Sequence, residues 1–251
     1  MRKPFIAANW KMNGTRAEVA ALVSGFKQKV KADGIDVAVF APYVFLGELQ
    51  TQLAGSGIAL GGQNAHIAAS GAFTGEISLG MLQEFGCQYV LVGHSERRTL
   101  FNETDDVVAD KVAAALEAGV TPMLCIGETL QERELGITMD VCRRQLQVVL
   151  DAVGVAGFRK MVVAYEPVWA FGTGKTASPE QAQQVHADLR AFLAEADADM
   201  AAKLQLLYGG SMKAANAAEL LAMDDIDGGL VGGASLIVDE FVGICDAAGS
   251  R

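Results

Sequence analysis

The sequence predicts an α/β fold, a closed (β/α)8 barrel of eight parallel strands ringed by helices. Three observations carry that expectation. Eight short apolar runs recur, each followed by a longer amphipathic or Ala-rich stretch. They begin near Phe5, Val37, Ile58, Tyr89, Thr121, Met161, Gln205 and Gly229, a mean spacing of 32 residues, the size of one strand–helix unit with its loops. Polar and glycine residues then collect just after nearly every run. In a barrel those ends converge on one site, whereas an open doubly wound sheet would spread them along an edge.

Runs such as Val37-Ala38-Val39-Phe40 and Tyr89-Val90-Leu91-Val92 are apolar without alternation. Strands buried on both faces look like this, which implies a parallel sheet covered by helices. After the first run come Asn9 and Lys11, then a capping box, Thr15-Arg16-Ala17-Glu18, whose side chains satisfy free backbone N–H groups at a helix start. Val19, Leu22, Val23, Phe26 and Val30 come next on one helical face. Gln63 and Asn64 close the third run, and the stretch from Asn64 to Ile77 is long for a barrel loop, which points to a functional or interfacial role. An exposed Phe73 there would need cover, so a subunit contact is expected. The fourth run ends in His94-Ser95-Glu96 and the sixth in Glu166. Ser178-Pro179-Glu180-Gln181 opens another helix with Pro at its first position, backed by a stripe of Ala182, Val185, Leu189 and Phe192. Gly209-Gly210-Ser211 and Gly232-Gly233 close the last two runs.

The chain has 251 residues, enough to hide roughly 72% of its unfolded surface. No linker, charge run or composition shift divides it, so residues 1–251 are expected to form one domain. Hydrophobic residues at 51% and charged residues at 20% exclude a disordered or collagen-like chain. A net charge of −10 without a basic tract makes a poor nucleic-acid or anionic-membrane binder. No segment reaches the length of a membrane-spanning helix, and the apolar stretch after Met1-Arg2-Lys3-Pro4-Phe5 breaks at Asn9 and Lys11, too early for a secretion signal. Cys87, Cys125, Cys142 and Cys245 lie inside apolar segments with no Cys-x-x-Cys pair. They read as buried thiols of a reducing compartment, and the expected location is cytoplasmic.

Glu166 follows Met161-Val162-Val163-Ala164-Tyr165. A carboxylate at the end of a buried strand is desolvated, which raises its pKa toward a useful general-base value. A lone Glu is most often an ion-pair partner or a loop acid, but the converging partners favour function. His94 precedes a first helical turn, whose positive end disfavours imidazolium. A neutral imidazole there can donate a hydrogen bond to a carbonyl. His66, in a loop, and His186, on a helix flank, read as structural, and three histidines so scattered make no metal site. Lys11 supplies a cation that attracts an anionic substrate despite the net charge; Schiff-base chemistry is its other functional reading. The two Gly-Gly pairs read as nests whose backbone N–H groups hold a phosphate.

The segment from Glu166 to Ala177 carries two decoys. Gly172-x-Gly174-x-x-Ala177 resembles a dinucleotide fingerprint, but Pro167 to Phe171 separate it from its strand. Gly174-Lys175-Thr176 resembles the tail of a P-loop, but the leading glycine would fall on Trp169. A lid hinged between Pro167 and the glycines, with an apolar centre, fits better than a nucleotide site.

Seven stretches together resemble the triosephosphate isomerase family over essentially the whole chain. They are Ala8-Asn9-Trp10-Lys11-Met12-Asn13, Gly71-Ala72-Phe73-Thr74-Gly75-Glu76, Gly93-His94-Ser95-Glu96-Arg97-Arg98, Cys125-Ile126-Gly127-Glu128, Ala164-Tyr165-Glu166-Pro167-Val168-Trp169-Ala170, Tyr208-Gly209-Gly210-Ser211 and Leu230-Val231-Gly232-Gly233-Ala234-Ser235-Leu236. The resemblance implies a TIM barrel that interconverts dihydroxyacetone phosphate and D-glyceraldehyde 3-phosphate through an enediolate. Glu166 would be the base, His94 the electrophile, and Lys11 and Asn9 would stabilise negative charge. Glu96 matches a family acid near the site. Asn9, Trp10, Lys11, Gly172, Ser211, Gly232 and Gly233 would surround the substrate and its phosphate, beneath a lid that excludes water. The resemblance further implies no metal or organic cofactor, and a homodimer in which Thr74 reaches toward the partner's site near Lys11, with Phe73 a further dimer contact. Three positions depart from the family's pattern: Phe171 in the lid, where Ile is usual; Met212 after Ser211, where Val is commoner; and Gly229, where Ala or Phe is usual. The last two are expected to affect packing only.

Overall fold

The structure, a computed structural model, describes residues 2–167 and 177–250. Eight parallel strands close into a barrel in chain order: β1 (Phe5–Asn9), β2 (Asp36–Ala41), β3 (Ile58–Gly62), β4 (Cys87–Val92), β5 (Thr121–Ile126), β6 (Val162–Tyr165), β7 (Leu206–Tyr208) and β8 (Gly228–Val231). The barrel closes where β8 pairs with β1, Phe5 opposite Gly228 and Ala8 opposite Val231. Each apolar run of the sequence is one of these strands. The largest offset is at β4, which starts at Cys87 rather than Tyr89; there the ladder with β3 shifts register between Leu60 and Gly61.

The strands alternate their side chains between two buried layers. Phe5, Phe40, Leu91, Met123, Leu207 and Leu230 fill the lumen, while Ile6, Val37, Val39, Val90, Val163 and Val231 face the surrounding helices. Burial on both faces is why the runs show no period of two. Each such side chain stabilises the fold by about 1.5–3 kcal/mol relative to exposure. Gly61 is required in the lumen, because a Cβ there would fall on the Phe40 ring.

The helices α1 (Arg16–Lys29), α2 (Leu46–Gln52), α3 (Leu79–Glu84), α4 (Ser95–Leu100), α5 (Asp105–Ala118), α6 (Leu130–Glu134), α7 (Thr138–Phe158), α8 (Pro179–Ala196), α9 (Ala198–Lys203), α10 (Ala214–Leu221) and α11 (Val238–Gly249) cover the strands. Both sequence-read capping boxes form. Glu18 N–H donates to Thr15 Oγ1 at 3.3 Å, and Gln181 N–H to Ser178 Oγ at 3.2 Å. The α8 stripe differs at two positions. Leu193, not Phe192, takes the last buried place, and His186 lies on the buried face rather than the flank, fully enclosed. Among the described residues no helix is long and apolar enough to cross a membrane.

The long stretch after β3 folds back on itself, with His66 N–H donating to the Ile77 carbonyl at 2.8 Å. The Phe73 ring stacks on His66, centroids 4.1 Å apart, yet remains 46% exposed. Self-packing therefore covers one face and leaves the other open. All four cysteines are buried and unpaired. Burial pushes their thiols up, Cys87 to about 11 and Cys245 to about 12, so they stay protonated.

Candidate active site

The strand ends surround one cleft of about 480 Å³, lined by Asn9, Lys11, His94, Glu166, Gly209, Gly210, Ser211, Met212, Gly232 and Gly233 among others. Four of the five expected chemical groups therefore meet here: Glu166 from the end of β6, His94 from the end of β4, and Asn9 and Lys11 from the end of β1. The fifth, Glu96, joins through Lys11. Lys11 Nζ lies 2.6 Å from Glu96 Oε1, so the cation is held over the cleft by an acid from α4.

Glu166 is 1% exposed and doubly held. Oε2 accepts the Ser95 backbone N–H at 2.9 Å, and Oε1 lies 2.9 Å from His94 Nε2. Two glycines make the space. A Cβ on Gly127 would fall on the Glu166 carbonyl, and one on Gly209 would lie 2.8 Å from Glu166 Cγ. Burial pushes the Glu166 carboxyl up, as the sequence suggests. His94, the Ser95 N–H and Lys11 pull it down by more, so it lies below the ordinary carboxylate range. The expectation of a raised pKa is thus reversed, because the sequence shows the buried strand but not the donors facing it.

His94 carries the matching reversal. Burial pushes its imidazole down, but the Glu166 and Glu96 carboxylates push it up by more. Its Nδ1 meanwhile accepts the Glu96 backbone N–H at 3.2 Å, at the start of α4. In the neutral ring that bond leaves the proton on Nε2, donated to Glu166.

Lys11 holds a left-handed backbone, φ 51°, which costs a non-glycine residue about 1–3 kcal/mol. Its N–H donates to Asn9 Oδ1 at 3.0 Å and its carbonyl accepts Gln63 Nε2 at 2.8 Å, so the strained turn is pinned on both sides. With Asn9 Oδ1 engaged, its amide N–H2 is the group it offers the cleft. Gln63, also donating to the Phe40 carbonyl at 3.0 Å, is a residue the sequence placed at a strand end without a role. Ser95 was likewise missed, though its place at the first turn after His94 was the available signal.

The anion side is built from Ser211 after β7 and Gly232-Gly233 after β8. Gly232 caps a short 3-10 turn (Gly233–Leu236), and its carbonyl accepts Ser235 Oγ at 2.6 Å. A Cβ on Gly233 would meet nothing within 4 Å, so space there is open to an incoming group. First-turn N–H groups and glycine backbone suit a phosphate. Trp10 is not part of this wall. Strand alternation turns it away from the lumen after Asn9, and its indole is 1% exposed, 6.4 Å from the Phe26 ring. It supports the Lys11 turn from behind rather than touching the cleft. Gly172 and the rest of the expected lid, with both nucleotide-like decoys, lie outside the described residues.

A family model described as triosephosphate isomerase matches residues 4–248. The chain is 59% identical over 248 residues, 99% of each chain, to a Thiobacillus denitrificans protein named triosephosphate isomerase. It is 57% identical to one of that name from Pseudomonas putida over 251 residues, the full length of both chains. A Dechloromonas aromatica protein of the same name is 56% identical over 248 residues, 99% of this chain and all of the other. The chain belongs to the triosephosphate isomerase family.

Proposed function

We propose that this chain interconverts dihydroxyacetone phosphate and D-glyceraldehyde 3-phosphate by proton transfer through an enediolate, with Glu166 as base and His94 as electrophile. The observation that carries the reading is the Glu166–His94 contact at 2.9 Å, inside a cleft whose opposite wall is an anion nest. The carboxylate is ionised and buried, ready to take a proton from the carbon beside a carbonyl. When Glu166 turns to that carbon it leaves His94 Nε2. The main cause that raises the imidazole then withdraws, while burial and the start of α4 remain. The neutral ring donates Nε2–H to the substrate oxygen and shuttles protons between the two enediolate oxygens. Lys11 and the Asn9 amide stabilise developing negative charge, where preorganised donors act most strongly. Glu96 orients Lys11, and Ser211, Gly232 and Gly233 hold the phosphate. The lid expected over Gly172 excludes water.

Proton transfer leaves a mark that hydride transfer does not. Turnover of D-glyceraldehyde 3-phosphate in deuterium oxide, monitored by proton NMR, is expected to give dihydroxyacetone phosphate with deuterium at C1. A product free of solvent deuterium, together with undiminished turnover in Glu166→Gln, would refute the Glu166 role. A Schiff base on Lys11 is the second reading, disfavoured because Nζ is engaged by Glu96; borohydride with substrate is expected to trap no adduct.

The partner is a second copy of the chain. Supporting this are the open face of Phe73, exposed Thr74 beside it, and Met12 at 94% exposure next to Lys11. Exposed apolar surface of this kind suits a subunit contact. Unpaired buried thiols fit a cytoplasmic setting.

A further inference from the structure

Met212 and Gly229 touch. Met212 lies in the loop after β7 and Gly229 near the start of β8, and neither carries a polar side-chain group. Yet a Cβ on Gly229 would lie 2.6 Å from Met212 Sδ and 3.0 Å from its Cε. The thioether therefore rests directly on the bare backbone of β8. Gly229 lies on the helix-facing side of that strand, in step with Val231 and out of step with lumen-filling Leu230. Met212 is 3% exposed and belongs to the same buried layer, but it also lines the cleft. It runs from the wall of the site down beside β8.

Its position gives the contact a consequence. Met212 follows Ser211 in the loop after β7, and Gly229 is three residues before Gly232. The two halves of the anion nest follow these two strands, β7 and β8, which among the described residues pair with each other only at Tyr208 and Gly229. On the other side the loop is tied to α10, where Asn216 Nδ2 donates to the Ser211 carbonyl at 3.1 Å and Asn216 Oδ1 accepts the Lys213 N–H at 2.8 Å. One polar anchor thus fixes the loop to a helix, and one apolar anchor fixes it to the strand that carries the other half of the nest.

We propose that Met212 is a positioning residue that sets the spacing between Ser211 and Gly232-Gly233, and that the missing side chain at Gly229 is what allows it to seat. The inference deepens the phosphate-binding part of the reading above and rests on it. In Gly229→Ala the new Cβ displaces the thioether tip from the strand, and the loop loses its apolar anchor. In the double variant Met212→Val with Gly229→Ala, the shorter side chain lacks both clashing atoms and the spacing returns.

The test measures inorganic phosphate binding by calorimetry beside KM and kcat for D-glyceraldehyde 3-phosphate. Gly229→Ala is expected to weaken phosphate and raise KM in step, about fivefold or more, with a smaller change in kcat, and the double variant to recover to within about twofold of wild type. Unchanged phosphate affinity in Gly229→Ala, or a double variant no better than the single, would overturn the proposal. Should Gly229→Ala fail to fold, Met212→Ala carries the test with the β8 backbone untouched: weakened phosphate at an intact circular dichroism spectrum supports it, and unchanged affinity overturns it. Wild type that binds phosphate with these variant effects but turns over no triose phosphate leaves the loop assignment standing and removes the isomerase reading. Wild type that turns over but shows none of the variant effects does the reverse.

Discussion

Glu166 is held by one backbone N–H and one imidazole, both at 2.9 Å, and this precision is what a base needs. Glu166→Asp keeps the charge but withdraws the carboxylate by one methylene. It is expected to fold normally and lose about 10²-fold in kcat, the scale of an ångström's misplacement; steady-state kinetics with circular dichroism checks both parts. His186 makes a separate prediction about stability. Burial pushes its imidazole down to about 4, against weaker opposing effects of the Asp225 carbonyl and the Asp227 carboxylate. The unfolded chain, near 6.5, thus binds a proton that the folded chain refuses between those values. The resulting stability is fully present above pH 6.5 and is lost as pH falls toward 4, by about 3 kcal/mol. Urea unfolding across that range is expected to show a shallower pH dependence in His186→Gln than in wild type; parallel curves would contradict it. Residue identities at the cleft were legible because polar residues interrupt apolar runs at Asn9, His94 and Glu166. Charge states were not, because the Ser95 N–H and the His94 ring approach Glu166 from the junction of β4 and α4, distant in sequence. Trp10 was misplaced for the same reason in miniature: adjacency to Lys11 does not say which side of a strand end a side chain takes.

Elements were read well where local chemistry marks their ends. The Thr15 and Ser178 boxes form, and every strand lies on its predicted run. Ser178→Ala removes the acceptor for the Gln181 N–H and is expected to cost about 1 kcal/mol, read by thermal or urea unfolding. Gly154 shows what pattern alone does not mark. It interrupts α7 with φ 62° and ψ −177°. Alanine strains in that conformation, so Gly154→Ala is expected to destabilise the protein by about 1–2 kcal/mol despite the high helix propensity of alanine. A gain in stability would mean that α7 straightens. The stripe of α8 shows the same limit. Leu193 and Phe192 are equally apolar, and only packing against the barrel decides that Leu193 is enclosed while Phe192 stays half-buried beside Arg143.

At the scale of the whole molecule, eight repeats of about one strand–helix unit close into a ring, and closure puts residues from β1, β4, β6, β7 and β8 on one cleft. That convergence was legible from the repeat and from the polar and glycine residues at the end of nearly every apolar run. The pairing of Met212 with Gly229 was not, since each looked like an isolated departure until the barrel brought β7 and β8 together. The exposed faces of Met12, Phe73 and Thr74 predict a dimer of twice the chain mass in light scattering. Placing a charge on this surface with Thr74→Arg is expected to weaken association by about two to three orders of magnitude and to lower activity with it. We infer that this barrel isomerises triose phosphates through Glu166. A coupled assay with D-glyceraldehyde 3-phosphate, run on wild type beside Glu166→Gln, tests it most directly. Rapid wild-type turnover that collapses in the variant is the predicted result; turnover that survives the loss of the carboxylate, or a folded dimeric wild type with none, would contradict it.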